Sequence, residues 1–212
     1  MLAMLRKRGG FSSGPMVGVD YSEKSVVLAR ELQRGKLHSA YESDSDSDDQ
    51  SESEEGDVDT EATVDEAEIR FEEWDVLDPS NENALSGNDK TIPWFPYAQA
   101  GFDIVLDKGT FDAVSLSDET TTTSTAETTT TTDKAESKDA ERICHKYPRV
   151  ASKLVRPGGF LVVTSCNWTE DELVRWFTAA KELEVWDRVE YPRFRFGGQE
   201  GQGVCTVCFR RK

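Results

Sequence analysis

Apolar and polar positions alternate along this chain in blocks that predict a succession of strands and helices. Met16-Val17-Gly18-Val19 is a short apolar run ending at Asp20, the pattern of a buried strand. Ser22 then supplies a side chain suited to an N-cap, with Ser25 three residues on. Val26, Ala29 and Leu32 fall at helical spacing before Gly35, a plausible stop. Ile69 to Trp74 alternates and ends at Asp75, and Phe102-Asp103-Ile104-Val105-Leu106 ends at Asp107. These two runs predict a second and a third strand. Helical periodicity follows over Lys138 to Val155 through Ile143, Val150, Ala151 and Leu154, with Pro148 as a kink or restart. Pro157-Gly158-Gly159 predicts a turn, and Phe160 to Ser165 a fourth, strongly apolar strand.

Thr169 is placed to cap a helix beginning Glu170-Asp171-Glu172-Leu173, with acids in the first turn where the helix dipole favours them. Leu173, Phe177 and Leu183 mark its apolar side. The tail, Val185 to Phe196 and then Gly203 to Arg210, predicts an antiparallel pair. Strands separated by helices argue for an α/β fold with a mostly parallel sheet, helices on both faces and a C-terminal antiparallel hairpin.

Two segments break this alternation. Residues 39–68 are rich in Ser, Asp and Glu and nearly free of large apolar side chains. They are expected to be a disordered acidic insert, because they cannot bury enough surface to offset their ordering entropy. Residues 118–133 hold ten threonines in sixteen positions and read as a low-complexity loop. Without them, a single domain spans residues 1–212.

Charge changes meaning once the inserts are recognised. The formal net charge is -16, which argues against nucleic-acid binding through the overall field. Fourteen acids and no Lys or Arg lie in residues 42–68, and four more acids in 118–133, so the rest of the chain carries about +2. No apolar run approaches the roughly 20 residues that span a membrane. Met1 to Phe11 is too short and too basic at its end for a secretory signal. Four cysteines do not make a disulfide scaffold, which leaves a reducing, cytoplasmic setting as the expectation. The chain is also expected to be a monomer. Cys205 and Cys208 have the spacing of half a zinc site, but no second pair exists, and residues three apart on a strand face opposite sides. His38 and His145 are too few and too far apart to suggest a metal.

Three predicted strands end in an acid: Asp20, Asp75 and Asp107. In an open α/β sheet, ligands bind beyond the carboxyl ends of the strands. Acids there can accept from ribose hydroxyls and from an adenine amino group, so the series points to a nucleotide-type ligand. The same acids could instead be helix or turn caps.

Val17-Gly18-Val19-Asp20-Tyr21-Ser22, Asp75-Val76-Leu77-Asp78 and the block DKGTFDA from Asp107 to Ala113 resemble the class I S-adenosylmethionine-dependent methyltransferases. The block TSCNWT from Thr164 to Thr169, with Phe194-Arg195-Phe196-Gly197-Gly198, is similar to the lysine methyltransferases of translation elongation factor 1-alpha. The resemblance covers Met16 to Phe209 apart from the two inserts and residues 80–100. It implies a Rossmann-like sheet, S-adenosyl-L-methionine as cofactor, elongation factor 1-alpha as protein substrate, and a further link to vesicle traffic. It implies cofactor contacts from Asp20, Tyr21, Asp75, Val76 and Asp107, and catalytic roles for Asp107, Asn167 and Trp168. Asp107 would orient the lysine ammonium or accept its proton, and Trp168 and Phe111 would offer aromatic faces to cationic groups. Either aromatic could equally be core, and Phe111 is expected to be.

The family's central first strand and its Gly-rich loop belong upstream of Asp20, and the nineteen residues there carry no such motif. Met1 to Leu5 matches the helix that follows that loop. The expectation is an N-terminally truncated methyltransferase domain lacking its first strand. A non-catalytic interaction protein on such a scaffold, with the acidic tract binding a basic partner, is the alternative from another functional class.

Overall fold

A computed structural model describes residues 1–37, 69–116, 143–192, 194–196, 199–201 and 203–212. The acidic insert, the Thr-rich loop and His38 lie outside the described residues. The described chain forms two compact units, Met1–Asp75 and Val76–Lys212.

In the first unit, helix α1 (Leu2–Arg8) precedes strand β1 (Met16–Asp20), helix α2 (Glu23–Arg34) and strand β2 (Ile69–Glu73). β1 and β2 pair in parallel, from Met16 opposite Ile69 to Asp20 opposite Glu73. Ser22 caps α2 as expected, its side chain accepting from the Ser25 amide, and Gly35 ends it. Ala3 and Ile69 form the small core with Leu2, Met16 and Phe71. Arg30 and Gln33 of α2 donate to the carbonyls of Phe71 and Ile69. An edge strand with its carbonyls engaged is a poorer template for pairing with another chain.

The second unit opens with a short helix, α3 (Asn81–Leu85), and a 3-10 turn over Tyr97–Gln99. Ile92, Trp94 and Phe95 are buried between them, in a stretch where the sequence pattern predicted no element. Strand β3 (Phe102–Lys108), helix α4 (Thr110–Leu116), helix α5 (Ile143–Leu154), strand β4 (Val155–Ser165) and helix α6 (Glu170–Thr178) follow. Pro148 is accommodated inside α5. Strand β5 (Leu183–Val189), the small hairpin β6 (Phe194–Phe196) and β7 (Gln199–Gly201), and strand β8 (Cys205–Arg211) complete it. The sheet order is β3-β4-β8-β5, with β3 parallel to β4 and β8 antiparallel to both β4 and β5. This mixture of parallel pairs and a C-terminal antiparallel pair is the α/β class expected from the sequence.

Leu161 and Val163 of β4, Val207 and Phe209 of β8 and Leu183 of β5 bury one sheet face against Phe111, Tyr147, Leu173 and Phe177 of the helices. Phe111 sits at the centre of an aromatic cluster, with ring centroids 5.0 Å from Phe177, 5.6 Å from Tyr147 and 5.9 Å from Trp168. Among the described residues, no helix is long and apolar enough to cross a membrane.

One expectation needs correction. Pro157-Gly158-Gly159 does not separate two elements, because β4 begins at Val155 and carries these residues as an irregularity in its ladder with β3. The pairs Phe102–Val155 and Ile104–Phe160 flank it, so the chain bulges and the pairing resumes in a shifted register. Gly101, at φ 130°, lies against the start of this bulge. A Cβ there would meet the Arg156 amide nitrogen at 2.6 Å and the Leu154 carbonyl at 2.7 Å. Gly109 is also left-handed, at φ 88°, but a Cβ there would meet nothing within 4 Å.

Gly101→Ala should therefore cost about 3 kcal/mol or more, since both backbone strain and rigid contacts oppose it. Gly109→Ala should cost only about 1–2 kcal/mol, from the left-handed conformation alone. Urea midpoints of the two variants should differ in that order, and equal midpoints would contradict the close approach at Gly101.

Candidate functional site

The C-terminal ends of β3 and β4 lie side by side, with Asp107 opposite Val163 and Lys108 opposite Thr164. Asp107 is 3% exposed. The chain turns at Gly109, and α4 starts at once, so its first amides would lack partners. Asp107 meets that need. Its Oδ1 accepts from the Thr110 amide at 2.9 Å, and its Oδ2 from the Phe111 amide at 3.2 Å. The Tyr147 hydroxyl of α5 donates to Oδ2 at 2.7 Å.

Burial is the largest influence on the Asp107 carboxyl and pushes it above the ordinary carboxylate range. The bonds from Tyr147, Phe111 and Thr110 pull it down, and the Asp112 charge adds to the upward push. Burial, then the Asp107 charge, hold the Tyr147 phenol well above its ordinary value, so it remains the donor of the pair.

Asp112, in the first turn of α4, is the second buried acid of this region, at 6% exposure. It accepts from the Ser165 hydroxyl at 2.5 Å, and from the amide and thiol of Cys166 at 3.0 and 3.3 Å. The Trp168 indole N–H donates to the Ser115 hydroxyl at 2.8 Å, and the buried Cys205 thiol donates to the Trp168 carbonyl. Trp168 is half-buried between Phe111 and Trp176. Asn167 is exposed. Thr169 and Glu172 form a complete capping box at the start of α6.

The structure thus gathers Asp107, Asn167 and Trp168 at one edge of the second unit's sheet. It also alters what Asp107 can do. Its carboxylate faces inward onto three internal donors, so the geometry supports the turn-capping role and not a direct proton transfer. Phe111 is core, at 1% exposure. Val76 packs its side chain against the core of the second unit.

In the first unit, Asp20 and Glu73 end the paired strands, and the Trp74 amide donates to the Asp20 carbonyl. Asp20 and Asp75 therefore share the carboxyl edge of β1 and β2, and both are exposed. Asp20 Oδ1 accepts from the Ser22 amide at 2.8 Å, which fixes the carboxylate. Its second oxygen meets no donor among the described residues. Tyr21 is 78% exposed.

Sequence reasoning missed Asp112 and Tyr147. Asp112 stands inside the block DKGTFDA, and only its position in the first turn of a helix after a buried strand could have singled it out. Nothing in the local pattern marks Tyr147, whose partner is forty residues away.

Tyr147→Phe tests the electrostatics. A carboxyl whose folded pKa is raised contributes stability that is whole below the ordinary Asp value and declines as pH rises through the raised one. The Tyr147 hydroxyl opposes that decline by favouring the ionised form. Its loss should cost about 1.5–3 kcal/mol near neutral pH and less at pH values where Asp107 is protonated. Denaturant titrations across that range should show the gap narrowing on acidification, and a pH-independent gap would contradict the pairing.

No family model matches the chain. It is 31% identical over 196 residues to protein-lysine N-methyltransferase EFM4 of Saccharomyces cerevisiae, covering 92% of this chain and 59% of the yeast protein. It is 26% identical over 195 residues to protein-lysine N-methyltransferase efm4 of Schizosaccharomyces pombe, covering 92% of this chain and 57% of that protein. With EEF1A lysine methyltransferase 2 of Danio rerio it shares 35% identity over 111 residues, 52% of this chain and 39% of the fish protein. The chain spans less than two thirds of the length of each of these relatives. Along 92% of its own length the chain is similar to two proteins named as protein-lysine N-methyltransferases, of which it covers 59% and 57%.

Proposed function

We propose that the protein is an S-adenosyl-L-methionine-dependent protein-lysine N-methyltransferase acting on elongation factor 1-alpha in the cytoplasm. The observation that carries this reading is the similarity to EFM4 along 92% of the chain. A relative named for EEF1A supports the choice of substrate.

The residues of the first unit fit a nucleoside. Asp20 holds one oxygen on the Ser22 amide and leaves the other for a ribose hydroxyl. Charge-assisted bonds of this kind are strong for their size. We assign Asp75 and Tyr21 to the adenosine side as well. When bound, the cofactor supplies an electrophilic methyl on a sulfonium. A lysine amine attacks only in its neutral form, and its pKa in water is about 10.4, so the protein must desolvate it and help it lose a proton. Asn167 offers an exposed side-chain carbonyl to the amine. Trp168 offers a ring, its N–H being committed to Ser115. Asp107 acts through the turn it caps, holding Lys108 to Thr110 in place.

Incubation with the cofactor and elongation factor 1-alpha should add methyl groups to lysine, read by peptide mass spectrometry. Asp20→Ala should weaken cofactor binding about tenfold or more by calorimetry, the loss of one charged hydrogen-bond acceptor, with an unchanged melting temperature. If elongation factor 1-alpha is captured stably but never methylated, the non-catalytic interaction reading replaces this one.

A further inference from the structure

Three consecutive backbone amides, those of Cys166, Asn167 and Trp168, lie between β4 and α6, outside any strand or helix. Such amides need partners supplied by side chains or water. All three converge on one acid and one hydroxyl. The Cys166 amide donates to Asp112 Oδ2 at 3.0 Å. The Asn167 and Trp168 amides donate to Ser165 Oγ at 3.1 and 3.0 Å. Ser165 Oγ in turn donates to Asp112 Oδ1 at 2.5 Å. A hydroxyl has one proton and two acceptor positions, so Ser165 is saturated and its proton can only point at Asp112.

The same helix binds the loop a second time. Ser115, one turn beyond Asp112, accepts from the Trp168 indole at 2.8 Å and donates to the Asp112 carbonyl at 3.0 Å. The next amide, that of Thr169, is closed by Glu172. Within this loop the backbone is fully engaged, while the Asn167 side chain stands exposed.

We propose that Asp112 is a positioning residue: through Ser165 and Cys166 it fixes the Cys166–Trp168 loop, and so the place of the Asn167 side chain at the end of β3 and β4. At 6% exposure it is not placed to touch a substrate, and it acts through the loop it holds. The kinetic consequence of this role rests on the methyltransferase reading, while the fixing of the loop does not.

The substitution Asp112→Asn keeps the size of the side chain. An amide has only one acceptor oxygen, so its NH2 group would have to face either the Cys166 amide or the Ser165 proton, both donors. Ser165→Ala removes the relay without touching the acid, and Ser165→Thr restores the hydroxyl. Amide hydrogen exchange in the full chain should quicken about tenfold or more at Cys166, Asn167 and Trp168 in Asp112→Asn. In Ser165→Ala the effect should fall on Asn167 and Trp168, and Ser165→Thr should return both towards the parent.

Cys166 reports the acid directly. The hydrogen bond to Asp112, then the Asp112 charge, raise the Cys166 thiol above its ordinary value. The pH profile of Cys166 alkylation, followed by peptide mass, should move to lower pH in Asp112→Asn and stay nearer the parent in Ser165→Ala. Loosened packing alone would not separate the two variants in this way.

For methyl transfer to elongation factor 1-alpha, kcat should fall about tenfold or more in Asp112→Asn while cofactor affinity stays within about twofold. Unchanged exchange at the three amides would overturn the proposal, as would a loss confined to cofactor affinity. If the parent protein transfers no methyl group but the exchange and alkylation patterns appear, the role of Asp112 stands and the methyltransferase reading fails.

Discussion

Burial of two carboxylates, one at the end of β3 and one in the first turn of α4, is the constraint on which the second unit depends. An acid removed from water is tolerated only if donors replace the solvent around it. Asp107 obtains them from the first amides of α4 and from Tyr147. Asp112 obtains them from Ser165 and Cys166. Each solution ties together parts of the chain that are distant in sequence. Asp107 links β3 and α4 to α5, and Asp112 links α4 to the end of β4. A helix of seven residues, too short to be stable alone, is held at its start by one acid and docked by the other.

Phe111, next to Asp112, completes this arrangement. It is buried at the centre of the aromatic cluster, in contact with rings from α5 and α6 and with Trp168. The apolar contacts set the depth of α4 against the sheet, and the acids set its direction and the turns around it. Trp168 belongs to both systems, with its ring in the cluster and its N–H on Ser115. The loop proposed to present Asn167 therefore stands on a foundation that excludes water. A directional hydrogen bond is stronger there than at the surface.

Much of the fold was legible from local pattern. β1, β2 and β3 end at or beside Asp20, Asp75 and Asp107, where the apolar runs stop. Ser22, Gly35 and Thr169 mark helix ends because caps depend on residues three or four apart. The strongly apolar run from Phe160 to Ser165 predicted a strand, and Leu161 and Val163 bury one of its faces. Less was legible in residues 80–100, where α3 and a 3-10 turn follow short, irregular spacings without a clear period. The turn at Pro157 to Gly159 was seen, but not its place inside β4. A bulge is defined by the partner strand, and β3 lies some fifty residues away.

The sequence by itself determined the α/β class, the main elements, the strand-end acids and the two similarity blocks, because each is written in residues close together along the chain. What each acid does was decided only by the tertiary structure. Asp20 accepts from the Ser22 amide at an exposed strand end, whereas Asp107, alike in its local pattern, is turned inward onto Tyr147. Asp112 gains its role from Ser165 and Cys166. A carboxylate's function depends on which donors surround it and how much water remains, and for Asp107 and Asp112 those are set by residues brought together from forty or more positions apart.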